Sequence, residues 1–214
     1  MRHERFLIVD LGSQYAQLIA RRVREQRCYA EIVMPDVTPE KVAAAKGVIL
    51  SGSPWSAYDP KAPKIDPAVF QQGTPILGIC YGMQLMTSLL GGEVGAAVAR
   101  EYGPARIRVA DAAESGLFSG LDAELDVWMS HGDRVERPPP GFEALAETSS
   151  APNAAIRSED HRLFGVQFPP EVTHTPRGKE ILSNFLFGVC SATGDWRMSA
   201  FVEEETERIR EVVG

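Results

Sequence analysis

Thr74-Pro75-Ile76-Leu77-Gly78-Ile79-Cys80-Tyr81-Gly82-Met83-Gln84-Leu85-Met86 is the stretch on which the reading of this chain turns. Ile76 to Ile79 is a short apolar run of strand type. It ends at a small residue, a cysteine and a glycine. Residues 81–90 then read as a helix, with Met83, Leu85, Met86, Leu89 and Leu90 on its apolar face. Strand, sharp turn and helix form the geometry of a nucleophile elbow. Gly78 and Gly82 suit such a turn because neither carries a Cβ that would crowd it. The Cys80 thiol falls at the helix N-terminus, where unpaired N–H groups and the helix dipole favour a thiolate. A buried cysteine closing a core strand is the plainer reading of one such residue. The surrounding G-I-C-Y-G-M-Q favours the nucleophile.

Upstream, strands and helices alternate. Residues 5–10 (RFLIVD) are a buried strand candidate. A turn follows, with Ser13 placed to cap a helix over 15–27 that turns Leu18, Ile19 and Val23 inward. The arginines of that helix, Arg21, Arg22, Arg24 and Arg27, read as a solvated face. A second strand spans 29–34, a short helix capped by Thr38 spans 38–46, and a third strand spans 47–50. The loop 51–56 and a helical turn over 67–72 precede the fourth strand. This alternation predicts a mainly parallel, doubly wound α/β sheet with helices on both faces. The chemistry of such sheets lies at the carboxyl ends of the strands, where the 51–56 loop and Cys80 both fall.

Beyond Gly91-Gly92 the pattern changes. Residues 105–109, 125–129, 142–148, 154–157 and 163–168 read as shorter strands in hairpins, adding antiparallel pairs to the sheet. Residues 179–189 read as a helix. The stretch 196–213 is amphipathic and acidic, a surface helix or the lead into another domain.

Bulk properties narrow the function. A chain of 214 residues has room for one domain with a large core, or a domain and a tail. A formal net charge of −7 argues against nucleic acid as the main partner, and no apolar run is long enough to span a membrane. The start Met1-Arg2-His3-Glu4-Arg5 runs straight into a strand, without the look of a signal peptide. Cys28, Cys80 and Cys190 are far apart, with no zinc-site spacing and no disulfide framework, which points to a reducing, cytoplasmic compartment.

Four segments carry a resemblance: IVDLGSQYAQLIARRVRE, ILSGSPWSAYD, LGICYGMQLM, and VWMSHGD with GVQFPPEVTHT. On these the chain, from Arg5 to Cys190, resembles the class I glutamine amidotransferases. The DLGSQY start and the VTHT ending match the branch found in GMP synthetases. The resemblance implies a Cys–His–Glu triad that hydrolyses glutamine to glutamate and ammonia. The ammonia would pass to a synthetase domain that aminates adenylated XMP. It implies Cys80 as nucleophile and Glu171 as the triad glutamate. Oxyanion stabilisation would come from the Tyr81 and Ser53 N–H groups, with Gly52 beside the latter. Ser53 stands where the family has a glycine, which only the N–H makes tolerable. Gln84 would help hold the substrate, and Ser130, Gly132 and Asp133 would form the loop meeting its amino-acid end.

One position departs from the family. Where the family reads Q-F-H-P-E, this chain reads Gln167-Phe168-Pro169-Pro170-Glu171, so the triad histidine is Pro169. Proline neither takes nor gives a proton. Impaired glutaminase activity is the expectation; a non-catalytic glutamine-binding or regulatory module that partners a synthetase is the alternative. A γ-glutamyl hydrolase of the same fold is the third reading, disfavoured by DLGSQY and VTHT. His131 and His174 read as structural or interface residues, His3 and His161 as solvent-exposed ones. The expected organisation is an amidotransferase domain over 1–190 and, over 191–214, the start of an absent ATP-pyrophosphatase domain. No cofactor is expected in the domain itself; ATP and Mg belong to the absent one. A homodimer is expected of the full-length enzyme.

Overall fold

Alternate residues of the short apolar strands feed two separate cores, which is why these strands are apolar throughout rather than striped. Phe6, Ile8, Ile49, Leu77 and Ile79 point to one face and join one buried cluster; Leu7, Val9, Val48, Leu50 and Ile76 point to the other. The computed structural model describes residues 3–110 and 116–197, and for 97–101 the backbone alone.

In chain order the elements are β1 (Arg5–Val9), α1 (Ala16–Glu25), β2 (Tyr29–Val33), α2 (Pro39–Ala43), β3 (Gly47–Leu50) and a 3-10 turn (Pro67–Gln71). They continue with β4 (Ile76–Ile79), α3 (Tyr81–Leu89), β5 (Glu93–Val109), β6 (Glu124–Arg137), β7 (Phe142–Glu147), β8 (Ala155–Ser158), β9 (Leu163–Val166) and α4 (Gly178–Ser183), which runs into a π-helical segment, Asn184–Val189. The strands among the described residues form one sheet in the order β2-β1-β3-β4-β9-β8-β7-β5-β6. From β2 to β9 the pairs are parallel; from β9 to β6 they are antiparallel. Helices α1 and α4 pack on one face through Ile19, Val23, Ile181 and Leu182. Helices α2 and α3 pack on the other through Val42, Met83, Leu85 and Met86. The doubly wound α/β architecture expected from the sequence is therefore the one observed.

Several local expectations need correction. Residues 163–168 read as a hairpin strand, yet β9 is also the fifth parallel strand, with Leu77 opposite Phe164 and Ile79 opposite Val166. Its apolar run, Leu163-Phe164-Gly165-Val166, is buried throughout, as a central strand requires. The strand read at 105–109 begins at Glu93, and the one read at 125–129 continues to Arg137. Glycines and charged residues hide both extensions, and the two strands pair with a register shift between Ala96 and Glu101. Ser130, Gly132 and Asp133 thus lie on a strand, not in a loop. Ser13 does not cap α1: Tyr15 holds the cap position without a side-chain bond, and the Tyr15 N–H donates to Ser13 Oγ 2.9 Å away. The Asp10 carboxylate organises this turn instead, accepting from the Gly12 and Ser13 N–H groups. Thr38 caps α2 as expected, accepting from Lys41 N–H.

Nor are the α1 arginines simply solvated. Arg22 donates to the Glu171 carbonyl at 3.0 Å and Arg24 to the Ala30 carbonyl at 2.6 Å. His3 is part-buried and faces Asp195 at 3.8 Å, while His161 is exposed. Beyond Cys190, Trp196 is buried on the body, its backbone N–H donating to the Arg27 carbonyl and its ring 6.2 Å from that of Tyr29. The helix read over 196–213 lies, from 198 onward, outside the described residues. No helix among the described residues is long and apolar enough to cross a membrane.

Candidate active site

Cys80 stands between β4 and α3 with φ 50° and ψ −109°. A left-handed φ is costly for a residue with a Cβ and is held only where the surroundings over-determine it. Here they do. The Cys80 N–H donates to the Val166 carbonyl at 2.8 Å, extending the β4–β9 ladder by one residue, and its carbonyl accepts from the Gln84 N–H at 3.1 Å, starting α3. The flanking glycines remove what would block the turn. A Cβ on Gly78 would lie 2.6 Å from the Met83 nitrogen, and one on Gly82 would lie 2.5 Å from the Leu50 carbonyl oxygen. The elbow read from the sequence is therefore present, with Cys80 at the carboxyl edge of the parallel strands.

Two clefts meet at that thiol. The larger, about 620 Å³, is walled by Ser53, Tyr81 and Gln84 on one side and by Ser130, Gly132 and Asp133 of β6 on the other. The smaller, about 290 Å³, lies between the Ser13–Tyr15 turn, Gly52, Ser53, Pro169 and Glu171. All ten residues singled out in the sequence line one or both of these clefts. The 51–53 turn is fixed by Ser51, whose hydroxyl accepts from the Leu11 N–H and whose N–H donates to the Val9 carbonyl. A Cβ built on Gly52 would be 3.7 Å from Cys80 Cβ, which places this turn directly across from the thiol. Ser53 is not among the described non-glycine residues with positive φ, so serine sits there without backbone strain.

Gln84 is buried, and its amide donates to the Asp133 carbonyl at 2.8 Å. It thereby pins β6 to α3 and sets the width of the larger cleft, rather than presenting a free amide to it. The Asp133 carboxylate in turn accepts from the Ser56 hydroxyl. His131, the buried residue between Ser130 and Gly132, faces the same cleft, whereas His174 packs tilted against Trp128 with ring centroids 4.7 Å apart.

The electrostatics run against one expectation. The position at a helix N-terminus argues for a Cys80 thiolate, yet burial and then the Glu171 carboxylate hold this thiol well above its usual value. The Sγ–H donates to the Gln167 carbonyl, 3.3 Å away. Burial also pushes Cys28 up to about 11 and raises Cys190, so all three thiols rest protonated. What distinguishes Cys80 is its strained backbone and its place on two cleft walls. Pro169 supplies no N–H, and its carbonyl accepts from Thr175 Oγ1 at 2.9 Å. Glu171 is 2% exposed, and its Oε2 has no hydrogen-bond partner among the described residues. Burial raises its carboxyl from 4.5 to about 7, against the lowering effect of its own N–H and of Arg22.

That shift makes a prediction about stability. A carboxyl raised on folding contributes stability below its unfolded value and loses it as pH climbs through the folded one. Glu171 should therefore lower stability progressively from pH 4.5 to about 7, by about 3 kcal/mol in all. Glu171→Gln should abolish this decline and unfold at higher urea concentration than the parent at pH 8. A parent and a variant with parallel pH–stability curves would refute the assignment.

Residues that sequence reading missed are those acting through the backbone or through distant partners: the Gln167 carbonyl on the thiol, Arg22 behind Glu171, and Trp55, Ser56 and Tyr102 at the rim of the larger cleft.

Comparison with known proteins agrees with this fold. Residues 7–189 match the family model described as glutamine amidotransferase class-I. The chain is 54% identical over 211 residues to a glutamine-hydrolysing GMP synthase of Thermomicrobium roseum, covering 97% of this chain and 39% of that protein. It is 49% identical to the corresponding protein of Heliobacterium modesticaldum, over 99% of this chain and 41% of that one. The chain thus spans about two fifths of the length of these curated relatives. Among solved structures, a candidate GMP synthase subunit from Thermoplasma acidophilum superposes with a TM-score of 0.77 at 28% identity, covering 89% of this chain and 96% of that one. A glutamine amidotransferase from Thermotoga maritima shares the fold, with a TM-score of 0.70 at 18% identity over 90% of this chain and all of the other.

Proposed function

The chain belongs to the class-I glutamine amidotransferase family, and on that footing we propose that it is the glutamine-binding and glutaminase portion of a GMP synthase. The observation that carries the reading is the thiol of Cys80, held on a strained elbow where two clefts meet. Glutamine enters the larger cleft with its amino-acid end towards Ser130, Gly132 and Asp133. Its side-chain carboxamide reaches Cys80. The Tyr81 and Ser53 N–H groups receive the oxygen as attack makes it negative, the second of them on the turn carrying Gly52. A γ-glutamyl thioester forms and ammonia leaves towards a synthetase domain, where ATP and Mg support amination of XMP. Residues 1–190 are the amidotransferase domain and 191–214 lead to that synthetase partner. The relatives' greater length supports this division. The whole enzyme would be a cytoplasmic homodimer that uses neither nucleic acid nor membrane as partner.

Catalysis is impaired at two proton transfers. With proline at 169 no imidazole takes the thiol proton and returns it to the leaving ammonia, so Glu171 has no ring to orient. The family resemblance and the wall made by Pro169 beside Cys80 support this.

The test is covalent labelling. An electrophilic glutamine analogue bearing a chloromethyl ketone should alkylate Cys80 and spare Cys28 and Cys190, with loss of chloride and no need to protonate ammonia. Mass spectrometry should place one adduct on the Cys80 peptide, free glutamine should slow its appearance, and Cys80→Ala should remove it. Adducts spread over the three cysteines, indifferent to glutamine, would overturn the reading.

A further inference from the structure

The chain does not run free after the π-helical segment. Ser191 turns it back with φ 53°, and Gly194 turns it again with φ 68°. The Ala192 N–H donates to the Leu186 carbonyl at 2.9 Å. The Thr193 N–H and hydroxyl both donate to one carboxylate oxygen of Glu4, at 2.7 and 3.0 Å, while the other Glu4 oxygen pairs with Lys46 at 2.9 Å. Asp195 answers in the opposite sense, accepting from the Glu4 N–H at 3.4 Å. Trp196 ends the run, its ring buried against Tyr29 and its backbone N–H on the Arg27 carbonyl. Arg27 is itself left-handed, with φ 63°. A residue with a Cβ keeps such a φ only where its surroundings hold it, so Arg27 and Ser191 mark fastened backbone rather than a loose linker.

These contacts share one place in the fold. Glu4 precedes β1, Tyr29 opens β2 and Lys46 precedes β3, so all lie at the amino ends of the parallel strands. Cys80 lies at the carboxyl ends. Strands of five residues, at about 3.3 Å per residue, put roughly 15 Å between the two poles. Cys28 sits between Arg27 and Tyr29, the two residues that Trp196 grips, and is 2% exposed. Its thiol is raised by burial and then by the carboxylates of Glu4 and Asp195, both members of this contact set.

We propose that residues 191–197 are a clamp locked across the amino ends of the parallel strands, sealing the Cys28 thiol and bringing the chain to residue 197 at the pole opposite Cys80. The clamp stands on its own contacts and not on the glutaminase reading. A domain attached through this segment would start on the far side of the fold from the thiol and would have to reach round it to meet Cys80.

Hydrogen exchange and thiol alkylation of the full chain test this. The Thr193 and Trp196 amides should exchange at least about a hundredfold more slowly than in an unstructured peptide, and N-ethylmaleimide should modify Cys28 slowly. Trp196→Ala should lose at least about tenfold of the protection at Thr193 and speed Cys28 alkylation by a similar factor, while the Ile8 amide in β1 stays protected. Should Trp196→Ala lose the protection at Ile8 as well, Glu4→Ala decides: it leaves the Trp196 ring in place, removes the acceptor of both Thr193 bonds, and should release Thr193 with Ile8 still protected. Thr193 and Trp196 amides that exchange at the peptide rate in the unaltered chain, or a folded variant in which Thr193 exchange and Cys28 alkylation are both unchanged, would overturn the proposal.

Discussion

Replacing Pro169 by histidine is expected to raise glutamine hydrolysis by about 10²- to 10⁴-fold, the usual range for one positioned acid–base group. The thiol of the unaltered chain is held protonated by burial and by Glu171. An imidazole between them would reverse both effects. Glu171 would stabilise the imidazolium instead of opposing a thiolate, and its unpartnered Oε2 would gain a ring N–H. The backbone needs little adjustment, because the Pro169 carbonyl is already tied to Thr175, which also accepts from the Trp128 N–H. The gain should appear in kcat far more than in KM, since the larger cleft on the other side of Cys80 is untouched. Steady-state ammonia release by both proteins checks this, with Pro169→His/Glu171→Gln expected to lose much of the gain. An increase below threefold, with the fold intact, would mean that the missing imidazole is not what limits this chain.

The second large effect is steric. Gly178 opens α4 directly behind the Pro169–Glu171 turn, and a Cβ there would lie 1.9 Å from the Pro170 carbonyl oxygen, well inside contact. The obstacle is backbone, which cannot rotate aside. Gly178→Ala is therefore expected to destabilise the protein by about 3 kcal/mol, at or above the upper end of ordinary overpacking costs. It should also displace Glu171, and so slow Cys80 labelling even where the protein stays folded. Urea unfolding gives the first quantity and adduct mass the second. Gly188→Ala, where nothing lies within 4 Å of the added methyl, is the control expected to change little.

How far the sequence could be read differs from element to element, for physical reasons. The strands at Phe6–Val9, Val48–Leu50 and Ile76–Ile79 were legible because a strand buried on both faces must be apolar at every position. The elbow was legible because only glycine fits at 78 and 82, and those two residues frame the cysteine in the sequence itself. The long β5–β6 ribbon was not. One face of β6 is exposed and carries charges, so its run of Ser130-His131-Gly132-Asp133 looks like a loop until its partner strand is seen. The candidate site residues could be named from the sequence because their side chains or N–H groups belong to short motifs, and the fold gathers them on the two clefts. The contacts behind them could not, since Gln167 meets the thiol through a carbonyl and Arg22 lies 149 residues from Glu171. The raised thiol itself could not be read from the sequence. A helix N-terminus argues for a thiolate, and only the packed structure shows burial overriding it.

The central claim is that Cys80 retains its nucleophilic role while the chain lacks a proton donor for the leaving ammonia. A comparison of two γ-substituted substrates tests it most directly: glutamine, whose leaving group must be protonated, and the γ-p-nitrophenyl ester of glutamate, whose leaving group departs as an anion. The account predicts a burst of p-nitrophenolate from the unaltered chain, absent in Cys80→Ala. It further predicts that Pro169→His speeds acylation by glutamine at least tenfold more than acylation by the ester. Equal acceleration of the two substrates, or a burst that survives in Cys80→Ala, would contradict it.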